Sequence, residues 1–222
     1  MKVYEFLKKE VKDLLEQRDY DRLLNLCEKD EHFGKELHFH LYDIDERFLW
    51  PAIEATGKLM HRWWQLGREN KVREYIRNLF WSITDESGGI GWSAPQTIAE
   101  IIANIPILLD PYGSMMVAHA FEEPSLVRGG LWGIGRLGKE VADSVNFFQD
   151  RVLAAFHIDD AETLGLAAWA MGEVGFKPAL PFLERLTDRR ETIRIYIKGD
   201  FYEKPLGQWA EEAMKKMSVK IQ

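Results

Sequence analysis

Residues 85–91 read Asp85-Glu-Ser-Gly-Gly-Ile-Gly91 and place several kinds of chemistry side by side. Asp85 and Glu86 offer two carboxylates for acid–base work or for holding a cation, and Ser87 adds a hydroxyl. Gly88 and Gly89 leave the backbone free to turn its amides toward a ligand. The stretch runs into a helix start at Ser93, where exposed amides attract anions. The two carboxylates oppose an anion, so the segment suits a cation or a basic partner better. Trp81 and Trp92 bracket it. Trp81, Asp85, Glu86, Ser87, Gly88, Gly89 and Trp92 are therefore the candidate binding residues, because long loops on rigid scaffolds often carry function. The plain alternative is a connecting loop held in place by its two tryptophans.

Other constellations are weaker. His38 and His40 lie near Asp43, Asp45 and Glu46, a composition that suggests a metal. On a helix, however, positions i and i+2 point about 200° apart, so the two imidazoles do not share an ion. There is no HExxH sequence, and no metal site is expected. Asp43 and Asp45 resemble an acid–base pair, but helix capping accounts for them. Gly133-Ile-Gly-Arg-Leu-Gly138 spells the dinucleotide fingerprint, which requires a preceding strand. Here the preceding residues read as helix, so the glycines serve packing. A P-loop sequence is absent, and no cofactor is expected. Arg73 and Arg77 lie one turn apart on a predicted helix and are candidates for an acidic partner or a phosphate, with a solvated face as the alternative. Glu54 and Glu100, beside packing positions, are expected to be solvated.

Across the whole chain, 36 acidic residues against 29 basic ones give a formal charge of −7. That balance disfavours nucleic acid, whose phosphates select for lysine and arginine. Cys27 is the single cysteine, so no internal disulfide or cysteine-based zinc site is possible. The first residues, MKVYEFLKKEVKDLLEQ, are amphipathic and charged, without the apolar run of a signal peptide or membrane span. A cytoplasmic protein with no membrane partner is expected.

The elements that must position these residues are helices. Leu7, Val11, Leu14 and Leu15 fall at helical spacing and predict a helix over about 3–17, followed by helices over about 19–29 and 32–42. Asp43 with Glu46, Ser93 with Gln96, and Asp159 with Glu162 read as capping boxes. A small residue followed by Leu, Val or Ile recurs at Gly57, Ala103, Gly135 and Gly172, and more loosely at Ala213, at spacings of 32 to 46 residues. Those spacings scatter about the ~40-residue period of HEAT-type helix pairs. Glycine within a helix costs about 1 kcal/mol against alanine, so its repetition in one register implies close helix contact. Thr192-Ile-Arg-Ile-Tyr-Ile197 alternates instead with period two, and with the turn at Lys198-Gly-Asp200 it predicts a β-hairpin. An isolated hairpin is marginal in water, so it must pack on something.

The segments Arg47–Gly57, Val127–Gly135 and Thr163–Gly172 resemble the HEAT-like repeats of the phycobilisome-lyase group of bacterial repeat proteins. Asp85–Pro95 is similar to a loop in a small set of uncharacterised members. The resemblance covers roughly residues 33–217 and implies an all-α solenoid of helix pairs. With the small β-hairpin insertion read from its alternation, one repeat domain is expected over 1–222, with an N-terminal helical cap at 1–31, repeats over 32–191, the hairpin at 192–203 and a terminal helix at 204–217. HEAT arrays imply interaction scaffolds, and some members are lyases, DNA glycosylases or metal-dependent hydroxylases. The expected function is a scaffold or adaptor that holds another protein by its concave face, Arg73 and Arg77 included, and by the 85–92 loop. The alternative is an enzyme or cofactor-handling protein acting through Asp85 and Glu86. A DNA glycosylase would require a basic groove, which the acidic balance opposes.

Overall fold

A computed structural model describes residues 2–84 and 91–218, and in it the chain is mostly helical with one small antiparallel sheet near the C-terminus. Contacts divide it into two compact units, Met1–Ile105 and Pro106–Gln222.

Unit 1 comprises α1 (Lys2–Gln17), α2 (Tyr20–Lys29), α3 (Glu31–Phe39), α4 (Glu46–Gln65), α5 (Glu69–Ser82) and α6 (Ala94–Asn104). The first three lie close to the helices expected from periodicity, because each has a continuous apolar stripe and a clear punctuation mark. Asp19 caps α2 through Arg22 N, and Asp30 caps α3 through His32 N. The long helix α4 is the centre of the unit: Ala52, Ile53, Ala55 and Met60 are fully buried on it. Its start lies two residues later than the capping box suggests. Asp45, not Asp43, accepts from Arg47 N at 3.0 Å, while Asp43 accepts from the backbone of Asp45 at 3.0 Å.

Unit 2 comprises α7 (Leu109–His119), α8 (Val127–Leu137), α9 (Ala142–Phe147), α10 (Gln149–Ala154), α11 (Ala161–Val174), α12 (Leu180–Glu184), the hairpin of β1 (Thr192–Ile197) and β2 (Asp200–Pro205), and α13 (Leu206–Ser218). The cap of α11 is Asp160, which accepts from Thr163 N at 2.8 Å, one residue beyond the expected box. Glu162 turns instead to Arg128, which also reaches Asp160 at 2.9 Å and so ties α8 to the start of α11.

The recurring small residues have the role their register implies. A Cβ added at Gly57 on α4 would lie 2.8 Å from the Glu100 side chain on α6. At Gly135 on α8 it would meet the Trp169 ring on α11 at 2.4 Å, and at Gly172 on α11 the Ala213 backbone on α13 at 2.7 Å. Each is a point where two helices touch. The glycine-rich run at 133–138 lies within and just after α8, so no strand precedes it and the fingerprint reading fails on geometry. Glu100 departs from expectation: it is buried, with Asn104 Nδ2 donating to it at 2.9 Å, because it lies beneath α4 at the Gly57 contact.

The hairpin forms as expected, with Ile195 opposite Tyr202 and a turn in which Lys198 and Gly199 both have positive φ, 49° and 94°. That pair of conformations matches the twist of a tight hairpin. It is built into unit 2: Ile193 packs on Gly165 of α11, and two core tryptophans donate to strand carbonyls, Trp132 to Tyr196 at 2.7 Å and Trp209 to Ile193 at 3.2 Å.

Candidate functional site

Among the candidate residues, Asp85, Glu86, Ser87, Gly88 and Gly89 lie outside the described residues. The base of their segment is described. Gly91 N donates to the Ser82 carbonyl at 2.7 Å, which brings the two ends of the segment together. Trp92 is half-buried, while Trp81 is 57% exposed, so the pair of tryptophans does not act as a matched clamp. Ser93 is the residue before α6, but its hydroxyl donates to the Leu41 carbonyl and does not cap the helix. Its role is to tie α6 to the residues following α3.

The helix α5 carries the rest of the candidates and presents three faces. Val72, Ile76, Leu79 and Phe80 are buried in the unit 1 core. On one flank Arg73, Arg77 and Trp81 recur every four residues, so they form a single stripe. Arg77 and Trp81 are exposed, and the Arg73 guanidinium lies over the Trp64 ring, 5.2 Å from its centroid. Two sets of candidates that the sequence presents separately, the arginine pair and the loop's first tryptophan, thus share a helix face.

The opposite flank of α5, with Lys71, Tyr75 and Asn78, lines a mostly apolar cavity of about 410 Å³. Cys27 of α2 and Leu37 of α3 contribute to its wall, and Leu59 and Met60 come from α4. His38 and the Tyr75 hydroxyl meet across it at 2.8 Å. Burial lowers the His38 pKa and raises that of Tyr75, which the nearby Thr56 hydroxyl partly opposes, so both groups are neutral near pH 7. The Cys27 thiol, pushed up to about 12 chiefly by burial, is also neutral and a poor nucleophile. Two further lining residues, Thr56 and Trp63 of α4, carry side-chain atoms that are shut off from solvent: Thr56 Oγ1 makes no hydrogen bond of good geometry, and Trp63 Nε1 makes none at all. The Lys71 ammonium sits 3.6 Å from the centroid of the Trp63 ring.

His38 and His40 diverge, as helical spacing demands. His40 is buried elsewhere, 3.2 Å from Asp43 and 3.7 Å from Glu36, and burial lowers its pKa despite those carboxylates. The cavity has no motif of its own in the sequence. The signal for it lay in α5, where an apolar stripe is flanked by Lys71, Tyr75 and Asn78 at i, i+4 and i+7, a half-polar flank on a helix that must still pack.

No known family profile matches the chain. It is similar to an uncharacterised protein of Archaeoglobus fulgidus, 28% identical over 160 residues that cover 70% of this chain and 81% of that protein. The likeness brings no activity with it. No helix among the described residues is long and apolar enough to cross a membrane.

Proposed function

We propose that the protein is a HEAT-like helical-repeat scaffold that works in the cytoplasm by holding another protein, and that the exposed stripe of α5 is part of the surface it uses. The repeat reading is supported by Gly57, Gly135 and Gly172, each of which lies where its helix touches the next helix of the same register. The observation that carries the binding role is the alignment of Arg73, Arg77 and Trp81 on one flank, with Trp81 57% exposed. Tryptophan and arginine dominate the energetics of protein interfaces, and an exposed indole beside two guanidinium groups suits an acidic, partly aromatic partner. Trp92, held near the end of α5 by the hydrogen bond from Gly91 N to the Ser82 carbonyl, would extend the same surface, and Asp85 and Glu86 remain candidates from the sequence alone. The enzyme alternative at Asp85 and Glu86 gains no support from the described residues.

The test is a pull-down from native lysate with wild type and an Arg77→Glu, Trp81→Ala variant, both checked for equal thermal stability. A protein retained by wild type and lost by the variant is the expected outcome. If both recover the same proteins, or neither recovers any, the α5 stripe is not a recognition surface.

A further inference from the structure

The cavity of unit 1 has features that packing alone does not explain. Gly34 lies within α3 and lines the cavity, and a Cβ added there would meet nothing within 4 Å. Glycine inside a helix is destabilising relative to alanine. At Gly57, Gly135 and Gly172 a close neighbour accounts for it, whereas at Gly34 the missing side chain leaves only space. Trp63, another residue of the lining, has an indole N–H with no acceptor and no access to solvent, although the residue is 7% exposed overall. An indole nitrogen can only donate. Lys71, covering the same ring, makes no ion pair among the described residues. At the rim Glu31 is already paired with Lys35 at 2.7 Å. The lining therefore holds one buried donor without an acceptor, Trp63 Nε1, and one ammonium without an ion-pair partner among the described residues, Lys71, while Lys35 is paired and the oxygens of Thr56 and Asn78 do not reach the indole.

We propose that this cavity binds a small organic anion, a carboxylate on an apolar body, with Trp63 Nε1 and Lys71 Nζ taking the carboxylate and Leu37, Leu59 and Met60 seating the body. The volume of about 410 Å³ falls within the range of small-molecule sites. Lys71 is exposed on a flexible stem, so its ammonium can swing off the indole face; Trp63 Nε1 is closed to a water-sized probe in this structure, so the carboxylate reaches it only with such a movement. A cation is repelled by Lys71. A neutral alcohol satisfies the indole but forgoes the charge-assisted contact and binds about tenfold more weakly. The site is independent of the protein-binding stripe, which lies on the other flank of α5.

The test uses the full-length protein with ¹⁵N-labelled tryptophans, whose indole N–H signals are resolved by NMR, the Trp63 signal being assigned with Trp63→Phe. The probes are 4-phenylbutyrate, octanoate, 4-phenylbutanol and 4-phenylbutylamine, each titrated to millimolar concentration. At least one carboxylate is expected to shift the Trp63 signal saturably, the alcohol about tenfold more weakly, and the amine not at all. Gly34→Leu, which fills the space, should abolish the shift while raising Tm. Lys71→Gln, at an exposed position, should weaken the carboxylate to the level of the alcohol, and it decides the matter should Gly34→Leu fail to fold. No shift with either carboxylate, equal binding of phenylbutyrate and alcohol, or full carboxylate binding by Lys71→Gln would overturn the proposal.

Discussion

Unit 2 buries three indoles, and each has a partner: Trp132 donates to the Tyr196 carbonyl, Trp209 to the Ile193 carbonyl and Trp169 to Glu173. Unit 1 buries Trp63 to a similar degree and leaves its N–H without one. Among the helical glycines, Gly34 differs from Gly57, Gly135 and Gly172 in the same sense. Gly135 and Gly172 in unit 2 are pressed against Trp169 and Ala213, whereas Gly34 in unit 1 faces open space. A buried donor without a partner costs about 1–3 kcal/mol, so Trp63 retains a penalty that the three indoles of unit 2 avoid. The difference separates indoles satisfied by the hairpin and by Glu173 from one, in a residue of the unit 1 cavity wall, that has no acceptor.

The largest effect should come from tightening what is already tight. Gly135→Ala puts a methyl group into the Trp169 ring, which is held by its bond to Glu173 and cannot yield, and should lower the unfolding free energy by about 2–3 kcal/mol in urea denaturation. A smaller, paired effect isolates the hydrogen bonds. Trp132→Phe strands the Tyr196 carbonyl, whereas Trp63→Phe removes a donor that has no partner; Trp132→Phe should cost about 1–2 kcal/mol more than Trp63→Phe, and equal costs would erase the contrast.

Acid should also distinguish the units. His38 and His40, both in unit 1, have folded pKa values depressed below 6.5 by burial, although Asp43 and Glu36 pull His40 the other way and Lys12 adds to the depression. The unfolded chain then binds protons that the folded one refuses. The stability is complete above about pH 6.5 and is lost as pH falls through the folded values. Unfolding midpoints measured from pH 8 to pH 5 should therefore decline, and His38→Gln with His40→Gln should flatten the decline.

Much of the fold was legible because its signals are local or periodic. Leu7, Val11, Leu14 and Leu15 mark α1, the alternation at Thr192–Ile197 marks β1, and the small residues mark the helix contacts. The capping boxes in the sequence fall one or two residues early, at Asp43 and Asp159, because nearby aspartates compete for the same role and only backbone geometry selects Asp45 and Asp160. The cavity was not legible. Cys27, Gly34, Thr56, Trp63 and Lys71 come from four helices, and each alone reads as ordinary core or surface. Only their convergence reveals that a donor lacks an acceptor. The stripe of Arg73, Arg77 and Trp81 is visible from spacing alone, but the loop that follows Trp81 draws it into a bracket with Trp92 and away from the helix that carries it.

The contrast between the units is tested most directly by making one substitution in both, Gly34→Ala and Gly172→Ala, and measuring each by urea denaturation. The account predicts opposite signs. Gly34→Ala should raise the unfolding free energy by about 0.5–1 kcal/mol, since it relieves the helix of a glycine and meets nothing. Gly172→Ala should lower it by about 1–3 kcal/mol, since the methyl group meets the Ala213 backbone. Two losses would mean that Gly34 is as tightly packed as Gly172, and the cavity with its open wall would not exist as described.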